Sequence, residues 1–513
     1  MFRTVVRAAL VALALGPVAG AQDGEEPIAA SRHTVVVGGA TLRYTARAGR
    51  LALRHNETGE ARGQVFFVSY HLDAPSSRTP RPLTFVWNGG PGSNAALVHL
   101  VGFGPKRLVP PANAAPDARW ALEVNPDTWL AGTDLVFVDP IGTGYSRATR
   151  AEFARDFYSD RGDAESIAEF IRVYRTRFDA HDAPLFLAGE SYGVTRAAGV
   201  AAVLQSRGIA VRGTILIGLA LPLATLSDAQ RQAFSLPTLT VAAFAHRKLP
   251  APLGTDLESS LREAERFAAG PYLRALEQGS ALGDAERDNL ARELARFTGL
   301  DASRIDRRAL NPTRMQVGNE LLRREARFVG QYDSRMTGPL DTLQVMYDPT
   351  RDPSLASLLD PIAVLRYLRN ELGFRSDLQY QGPFGGGYPG ATSFRGDWMS
   401  LKWDWARGTA RDSLRPPWPP GVPRLAIDTP LPLRTAMERD SALRVLSACG
   451  IYDLVCDYYG NEWTAGQLPG ALQERVTVKR YGGGHALYTD PGVHAAFSRD
   501  VLSWMRAAQE RPK

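Results

Sequence analysis

Three residues far apart in the chain carry the chemistry of nucleophilic acyl transfer: Ser191, Asp453 and His485. A serine hydroxyl is a weak nucleophile until a base takes its proton, and the usual base is a histidine oriented by a carboxylate. Ser191 lies in Gly189-Glu190-Ser191-Tyr192-Gly193, after the apolar run Pro184-Leu185-Phe186-Leu187-Ala188 and before a helical stretch, Val194 to Gln205. A small-x-Ser-x-small pentapeptide between a strand and a helix makes a sharp turn that lifts the hydroxyl above the sheet edge, and crowding admits only small flanking residues. The same pentapeptide also occurs in plain surface turns, so its companions decide. Asp453 follows the apolar run Leu443 to Ala448; His485 follows the alternating run Arg475 to Tyr481 and three glycines, Gly482 to Gly484. The order serine, acid, histidine and the strand-end positions agree with one site. Asp457 competes with Asp453 for the acid's role, and Asp490 is a more distant candidate. Among the other histidines, His99, His246 and His494 fall in helical stretches; the rest precede the serine, mostly near strands.

An oxyanion developing on the attacked carbonyl needs two fixed N–H donors. Tyr192, directly after the serine, is expected to provide one. The loop Trp87-Asn88-Gly89-Gly90-Pro91-Gly92 follows an early strand and is expected to provide the other from Gly90, because glycine lets the backbone approach without a side chain. The competing reading of that loop is a plain turn. It lacks the Lys-Ser/Thr of a phosphate-binding loop.

The elements that must hold these groups alternate. Strands are predicted over Thr34–Val37, Thr41–Arg47, Gly63–Leu72, Leu83–Trp87, Asp134–Asp139, Leu185–Ala188 and Gly213–Leu219, with a helix over Asp163–Phe178. Buried strands alternating with helices predict an α/β fold, a mixed, mostly parallel sheet flanked by helices, with the early hairpin-like strands making one side antiparallel. Residues 222 to about 380 differ: Ser227–Lys248, Asp256–Gln278, Asp284–Thr298 and Thr313–Phe328 read as charged helices. A Gly/Pro/aromatic stretch, Gly382 to Gly390, and four tryptophans, Trp398, Trp403, Trp405 and Trp418, follow. These aromatics are read as packing rather than ligand contacts. The strand pattern returns after Pro432, and a helix from Pro491 to about Ala508, with Val493, Phe497, Val501 and Trp504 on its apolar face, closes the chain.

The domain organisation expected is a signal peptide over 1–21, a core over 22–221, a largely helical cap insertion over 222–430, and the rest of the core over 431–513. Arg3 and Arg7 begin the leader, Ala8–Leu15 is its apolar segment, and Ala19-Gly20-Ala21 is a small-residue cleavage site. The apolar segment is too short to span a bilayer; the alternative is an uncleaved anchor. The expected mature protein is periplasmic or secreted, without membrane insertion. The balance of 60 Lys+Arg against 54 Asp+Glu is mildly basic and dispersed, so no nucleic-acid partner is expected. His/Cys zinc spacing and calcium-loop patterns are missing from the sequence, so neither metal nor other cofactor is expected. Cys449 and Cys456 can close one local bridge in an oxidising compartment or remain free. A free Cys456, three residues after Asp453, would make the site sensitive to bulky mercurials.

The segments Trp87–Gly92, Asn125-Pro126-Asp127-Thr128-Trp129, Val138 to Ser146, Gly189–Gly193, Asp453 with its neighbours and Gly484-His485 together resemble the serine carboxypeptidases, the family that includes carboxypeptidase Y and cathepsin A. The resemblance runs in order across nearly the whole chain. It implies the α/β-hydrolase fold, the triad Ser191, Asp453 and His485, and oxyanion donors Gly90 and Tyr192. It further implies peptide substrates with a free C-terminus, whose carboxylate meets Asn88, with Gly89 beside it, and Glu190. Two facing carboxylates repel, so Glu190 must carry a proton to take part; otherwise it is a buried structural acid. The chain departs from the family in three places. A second acid often present about a dozen residues after the glycine loop is replaced near Gly102. Ser93 stands where members often have cysteine. Ala486-Leu487-Tyr488 replaces Met-Val-Pro after the histidine. The same framework serves an esterase or acyltransferase, or, with the triad idle, a binding protein. Oligomeric state is not legible.

Overall fold

The computed structural model describes residues 27–73, 80–111, 119–221, 223–340, 352–355, 358–382, 403–404 and 430–510. The leader and Trp398, Trp405, Trp418 and all of the Gly/Pro/aromatic stretch beyond Gly382 lie outside the described residues.

Apolar strands stack into one sheet whose order is Ala29–Val37, Ala40–Arg54, Ala61–Leu72, Asp134–Val138, Leu83–Trp87, Leu185–Glu190, Gly213–Ile217, Arg444–Gly450 and Val476–Tyr481. The first three strands and the Ala61–Leu72/Asp134–Val138 pair run antiparallel. Every later pair is parallel. Leu83–Trp87, Leu185–Glu190 and Gly213–Ile217 are buried at every position, as central parallel strands covered on both faces must be. One face packs Phe67, Phe85, Val136 and Leu187 against the helices Asp160–Arg177 and Tyr192–Ser206. The other packs Phe66, Phe137, Phe186 and Ile215 against Phe497, Val501 and Met505 of the helix Pro491–Gln509. This is the α/β-hydrolase fold, with helices on both faces of a mostly parallel sheet.

Gly213–Ile217 and Arg444–Gly450 are neighbours in register, Gly213 opposite Arg444, so everything between them is an excursion from the sheet. Its helices Asp228–Ala245, Leu257–Phe267 and Asp284–Thr298 gather a separate apolar cluster around Phe234, Leu294 and Phe297. The helix expected over Asp256–Gln278 is interrupted: a wide turn, Ala268–Tyr272, separates Leu257–Phe267 from Leu273–Gln278. Pro271 has no N–H to continue the ladder there. The helix expected over Thr313–Phe328 ends at Glu320; Ala326 turns left-handed at φ 53° and Arg327–Val329 pairs as a strand with Thr337–Pro339. Burial of Val329 outweighs the helical preference of the charged residues before it. His246 caps the helix Asp228–Ala245 instead of lying within it. Among the described residues no helix is long and apolar enough to cross a membrane.

Candidate active site

Strand Leu185–Glu190 delivers Ser191 to the sheet edge, and the chain turns at once into the helix Tyr192–Ser206. The turn places Ser191 at φ 56°, ψ −131°, a conformation that costs a non-glycine residue about 1–3 kcal/mol. Its surroundings enforce it. Ser191 N donates to the Ile217 carbonyl at 2.8 Å, and Trp87 Nε1 donates to the Gly193 carbonyl at 2.9 Å. A Cβ at Gly189 would stand 2.0 Å from that same carbonyl oxygen, which is why this position cannot carry a side chain.

Asp453 and His485 follow the last two parallel strands in the sheet order, Arg444–Gly450 and Val476–Tyr481. Asp453 lies just beyond Arg444–Gly450 and is fully buried. Its Oδ1 accepts from Val455 N at 2.8 Å, and its Oδ2 stands 2.7 Å from His485 Nδ1. Because an ionised carboxylate only accepts, Nδ1 is the donor and Nε2 is the basic position. Nε2 is buried and has no hydrogen-bond partner among the described residues. Burial pushes the His485 imidazole down, but the charge of Asp453, its hydrogen bond and the charge of Glu190 outweigh burial and hold it above its ordinary value. Gly218, immediately after the carbonyl that holds Ser191 N, packs on the imidazole: a Cβ there would be 3.1 Å from Cε1 and Nδ1. The serine's turn and the imidazole thus share one corner of the sheet edge.

The competing carboxylates are engaged elsewhere. Asp490 Oδ1 caps the last helix through Gly492 N and Val493 N. Burial pushes the Asp457 carboxyl up to about 7, against the pull of Arg314, and the residue opens the helix Tyr458–Gly466. Cys449 and Cys456 are bonded to each other, so the expectation of mercurial sensitivity through a free Cys456 is overturned. The bridge instead closes the short loop that carries Asp453.

The glycine loop lies directly on the elbow. A Cβ at Gly89 would be 2.4 Å from Tyr192 N and 2.9 Å from Ser191 Cβ. Gly90, the next residue, has φ 105° and is exposed. Arg196, buried one turn into the helix, fixes this loop: its Nη1 donates to the Asn88 carbonyl at 2.6 Å and its Nε to Asp163 Oδ2 at 2.7 Å. Tyr192 Oη donates to Asp160 Oδ1 at 2.8 Å and Trp403 Nε1 to the same oxygen at 3.0 Å.

Glu190 and Asn88 meet beside the serine. Oε2 of Glu190 accepts from Asn88 Nδ2 and, at 2.8 Å, from Tyr488 Oη. All three side chains are buried. Burial pushes the Glu190 carboxyl up to about 7; His485 and the two hydrogen bonds pull the other way, and Asp453 adds to the rise.

Sequence reasoning missed three contributors. Arg196 was findable as a charge four residues into an otherwise apolar helix. Tyr488 stood out only as a departure from the family pattern. Tyr332 had no signal: its carbonyl accepts from His485 N at 2.6 Å, and its ring stands edge-on to the imidazole with centroids 5.0 Å apart. Among the described residues no group of three or more His, Cys, Asp or Glu side chains is placed to hold a metal ion.

Residues 51–208 match the family described as serine carboxypeptidase. The chain is 29% identical over 191 residues to a pheromone-processing carboxypeptidase KEX1 of Fusarium vanettenii, which covers 36% of this chain and 28% of that protein. It is 32% identical over 126 residues to serine carboxypeptidase-like 44 of Arabidopsis thaliana, 24% of each chain. The alignments to the first two curated relatives span under a third of those proteins' lengths. A prohormone-processing carboxypeptidase of Saccharomyces cerevisiae, Kex1(delta)p, superposes with a TM-score of 0.54 at 16% identity, covering 90% of this chain and 91% of that one. That likeness speaks to the fold. The family match contains Asn88, Glu190 and Ser191 and stops before Asp453 and His485.

Proposed function

From the match of residues 51–208 to the serine carboxypeptidase family and the similarity to its curated members, we propose that the chain is a serine carboxypeptidase that hydrolyses C-terminal peptide bonds through an acyl-enzyme. Ser191 Oγ attacks the last peptide carbonyl while its proton passes to His485 Nε2. Asp453, held to Nδ1, stabilises the imidazolium. The N–H groups of Gly90 and Tyr192 take the negative charge that forms on the carbonyl oxygen. The imidazolium then protonates the departing amine, which leaves as the C-terminal amino acid. Water, deprotonated by the same nitrogen, releases the shortened peptide and regenerates the serine.

Exopeptidase selectivity rests on Asn88, Gly89 and Glu190 receiving the substrate's terminal carboxylate. Oε2 of Glu190 already accepts two hydrogen bonds, so the proton of the neutral acid belongs on Oε1, from which it can be donated to a carboxylate. With its pKa pushed up to about 7, Glu190 is neutral below that pH and charged above it. An incoming carboxylate favours the neutral form. Free-acid substrates should therefore bind best on the acid side of neutrality. In this reading the insertion over 222–430 confines the site to chain ends, and the leader over 1–21 exports the enzyme to the periplasm or beyond the cell.

The observation that carries the proposal is the 2.7 Å His485–Asp453 contact at the same sheet edge as a buried acid–amide pair next to the serine. The test compares a blocked dipeptide as free acid with its C-terminal amide. A free-acid preference of at least an order of magnitude, abolished together with fluorophosphonate labelling in Ser191→Ala, is the expected result. Equal rates on acid and amide turn the reading to an esterase or acyltransferase, and a folded wild type that takes no label turns it to a binding protein.

A further inference from the structure

Tyr488 belongs to no part of the triad or the oxyanion donors, yet it is fully buried beside them. Its hydroxyl donates to Glu190 Oε2 at 2.8 Å. Its ring lies on Gly102: a Cβ at Gly102 would stand in ordinary contact with Cδ2 and Cε2, at 3.5 and 3.6 Å, so the ring occupies the space beside this glycine. Phe103 packs edge-on to the ring with centroids 5.0 Å apart, which fixes the hydroxyl's aim. Oε1 of Glu190 has no hydrogen-bond partner among the described residues and is not among the sealed, partnerless oxygens. One oxygen of this acid is therefore clamped from within and the other is left to the open side.

Resting on the carboxypeptidase reading, we propose that Tyr488 is a specificity-determining positioning residue: it clamps Oε2 so that Oε1 of Glu190 presents the proton to the substrate carboxylate. The groups that face Glu190 are Asn88 from the glycine loop, Asp453 and His485 from the two strand-end loops, and Tyr488 itself. Asn88 does not titrate. Asp453 and His485 act as a pair already committed to each other. Burial and the charge of Glu190 drive the Tyr488 phenol well above its ordinary range, so it stays a neutral donor at every working pH. The proton that the substrate's carboxylate meets directly is the one on Glu190, while His485, whose charge also acts on Glu190, is followed separately through the amide's kinetics.

The experiment measures KM and kcat for a free-acid dipeptide and its amide from pH 5 to 8.5 in wild type and Tyr488→Phe. The phenylalanine keeps the ring on Gly102 and Phe103, and the rate of fluorophosphonate labelling reports whether the triad is intact. Loss of one hydrogen bond to an ionisable group should raise KM for the free acid about tenfold, with kcat and the amide's kinetics little changed. Because the tyrosine's hydrogen bond holds the Glu190 pKa down, its removal should also move the alkaline rise in KM to higher pH, which a purely structural role would not do. Tyr488→Ala with Gly102→Glu, in which a carboxyl reaches into the vacated space, should restore acid-side binding with a steeper pH dependence. A wild type that does not prefer free acids overturns the carboxypeptidase reading. A wild type that does, with Tyr488→Phe unchanged in KM and inflection, overturns only the part given to the tyrosine.

Discussion

The sheet-edge loops and the long excursion both reach the candidate site, but they contribute in different currencies. The ends of Leu83–Trp87, Leu185–Glu190, Arg444–Gly450 and Val476–Tyr481 and the loops that follow them supply side chains: Asn88, Glu190, Ser191, Asp453 and His485. The excursion supplies backbone. Its Tyr332 carbonyl accepts from His485 N, its Gln331 carbonyl accepts from Leu454 N at 3.0 Å, and its Ser334 N donates to the Tyr452 carbonyl at 2.8 Å. One short stretch of the excursion thereby stitches together the two loops that carry Asp453 and His485. Side-chain roles demand residue types; backbone roles are open to almost any residue. Substitution should therefore be punished in the first region and largely forgiven in the second.

Asp453→Asn tests the first half of that contrast and should have the largest effect. An amide in place of the carboxylate favours the wrong imidazole tautomer, and kcat should fall on the order of 10⁴-fold with the fold unchanged by circular dichroism. A loss under tenfold would remove Asp453 from the triad. Glu190→Gln comes next. Its amide can keep its oxygen on Asn88 and Tyr488 and point its nitrogen outward as a permanent donor. The alkaline rise in KM for free acids, expected as pH passes the Glu190 pKa of about 7, should flatten in this variant. The same shift couples to stability. The native state holds the Glu190 proton more tightly than the unfolded chain does, so this contribution is full below the ordinary carboxyl pKa and is lost as pH climbs to about 7. Glu190→Gln should then gain in melting temperature relative to wild type at pH 8 and not at pH 4; a pH-independent difference would break the argument.

Replacing Cys449 and Cys456 by serine removes the bridge around the Asp453 loop. Closing so short a loop is worth about 2–3 kcal/mol in the chain-entropy view, which urea unfolding would read. The activity loss should be modest, since Asp453 keeps its bonds to Val455 N and His485. Tyr332→Ala should have the smallest effect: kcat within a few-fold, because the atom that holds His485 N is the carbonyl oxygen. A collapse of activity in Tyr332→Ala would show that the ring matters and erase the contrast between the regions.

The same distinction explains how much was legible beforehand. The sheet strands were readable because buried parallel strands leave near-continuous apolar runs, and the elbow because a Cβ at Gly189 has no room. Some observed bounds differ from the expected ones: Ala40–Arg54 runs well past Arg47, since the residues added pair with Ala61–Val68 across a short hairpin, while Asp134–Val138 and Gly213–Ile217 end before Asp139 and Leu219. The helices of the excursion were partly misread where Pro271 and Ala326 interrupt them. Glu190 was legible as an acid next to the serine, but its partner Tyr488 was not. That pairing spans 298 residues and depends on the space that Gly102 leaves, which no local pattern records.

The excursion departs from Ile217 and returns at Arg444, yet those strands lie side by side. A chain closing so wide a gap to form one parallel pair meets a heavy entropic barrier. Its own apolar nucleus around Phe234, Leu294 and Phe297 offers a route past it: the intervening segment condenses first and draws the two ends together. Pulse-labelled hydrogen exchange during refolding should protect amides of Asp228–Ala245 before those of Arg444–Gly450. Asp453 and His485 would then be the last pieces of the candidate site to mature, long after the turn at Ser191 has set.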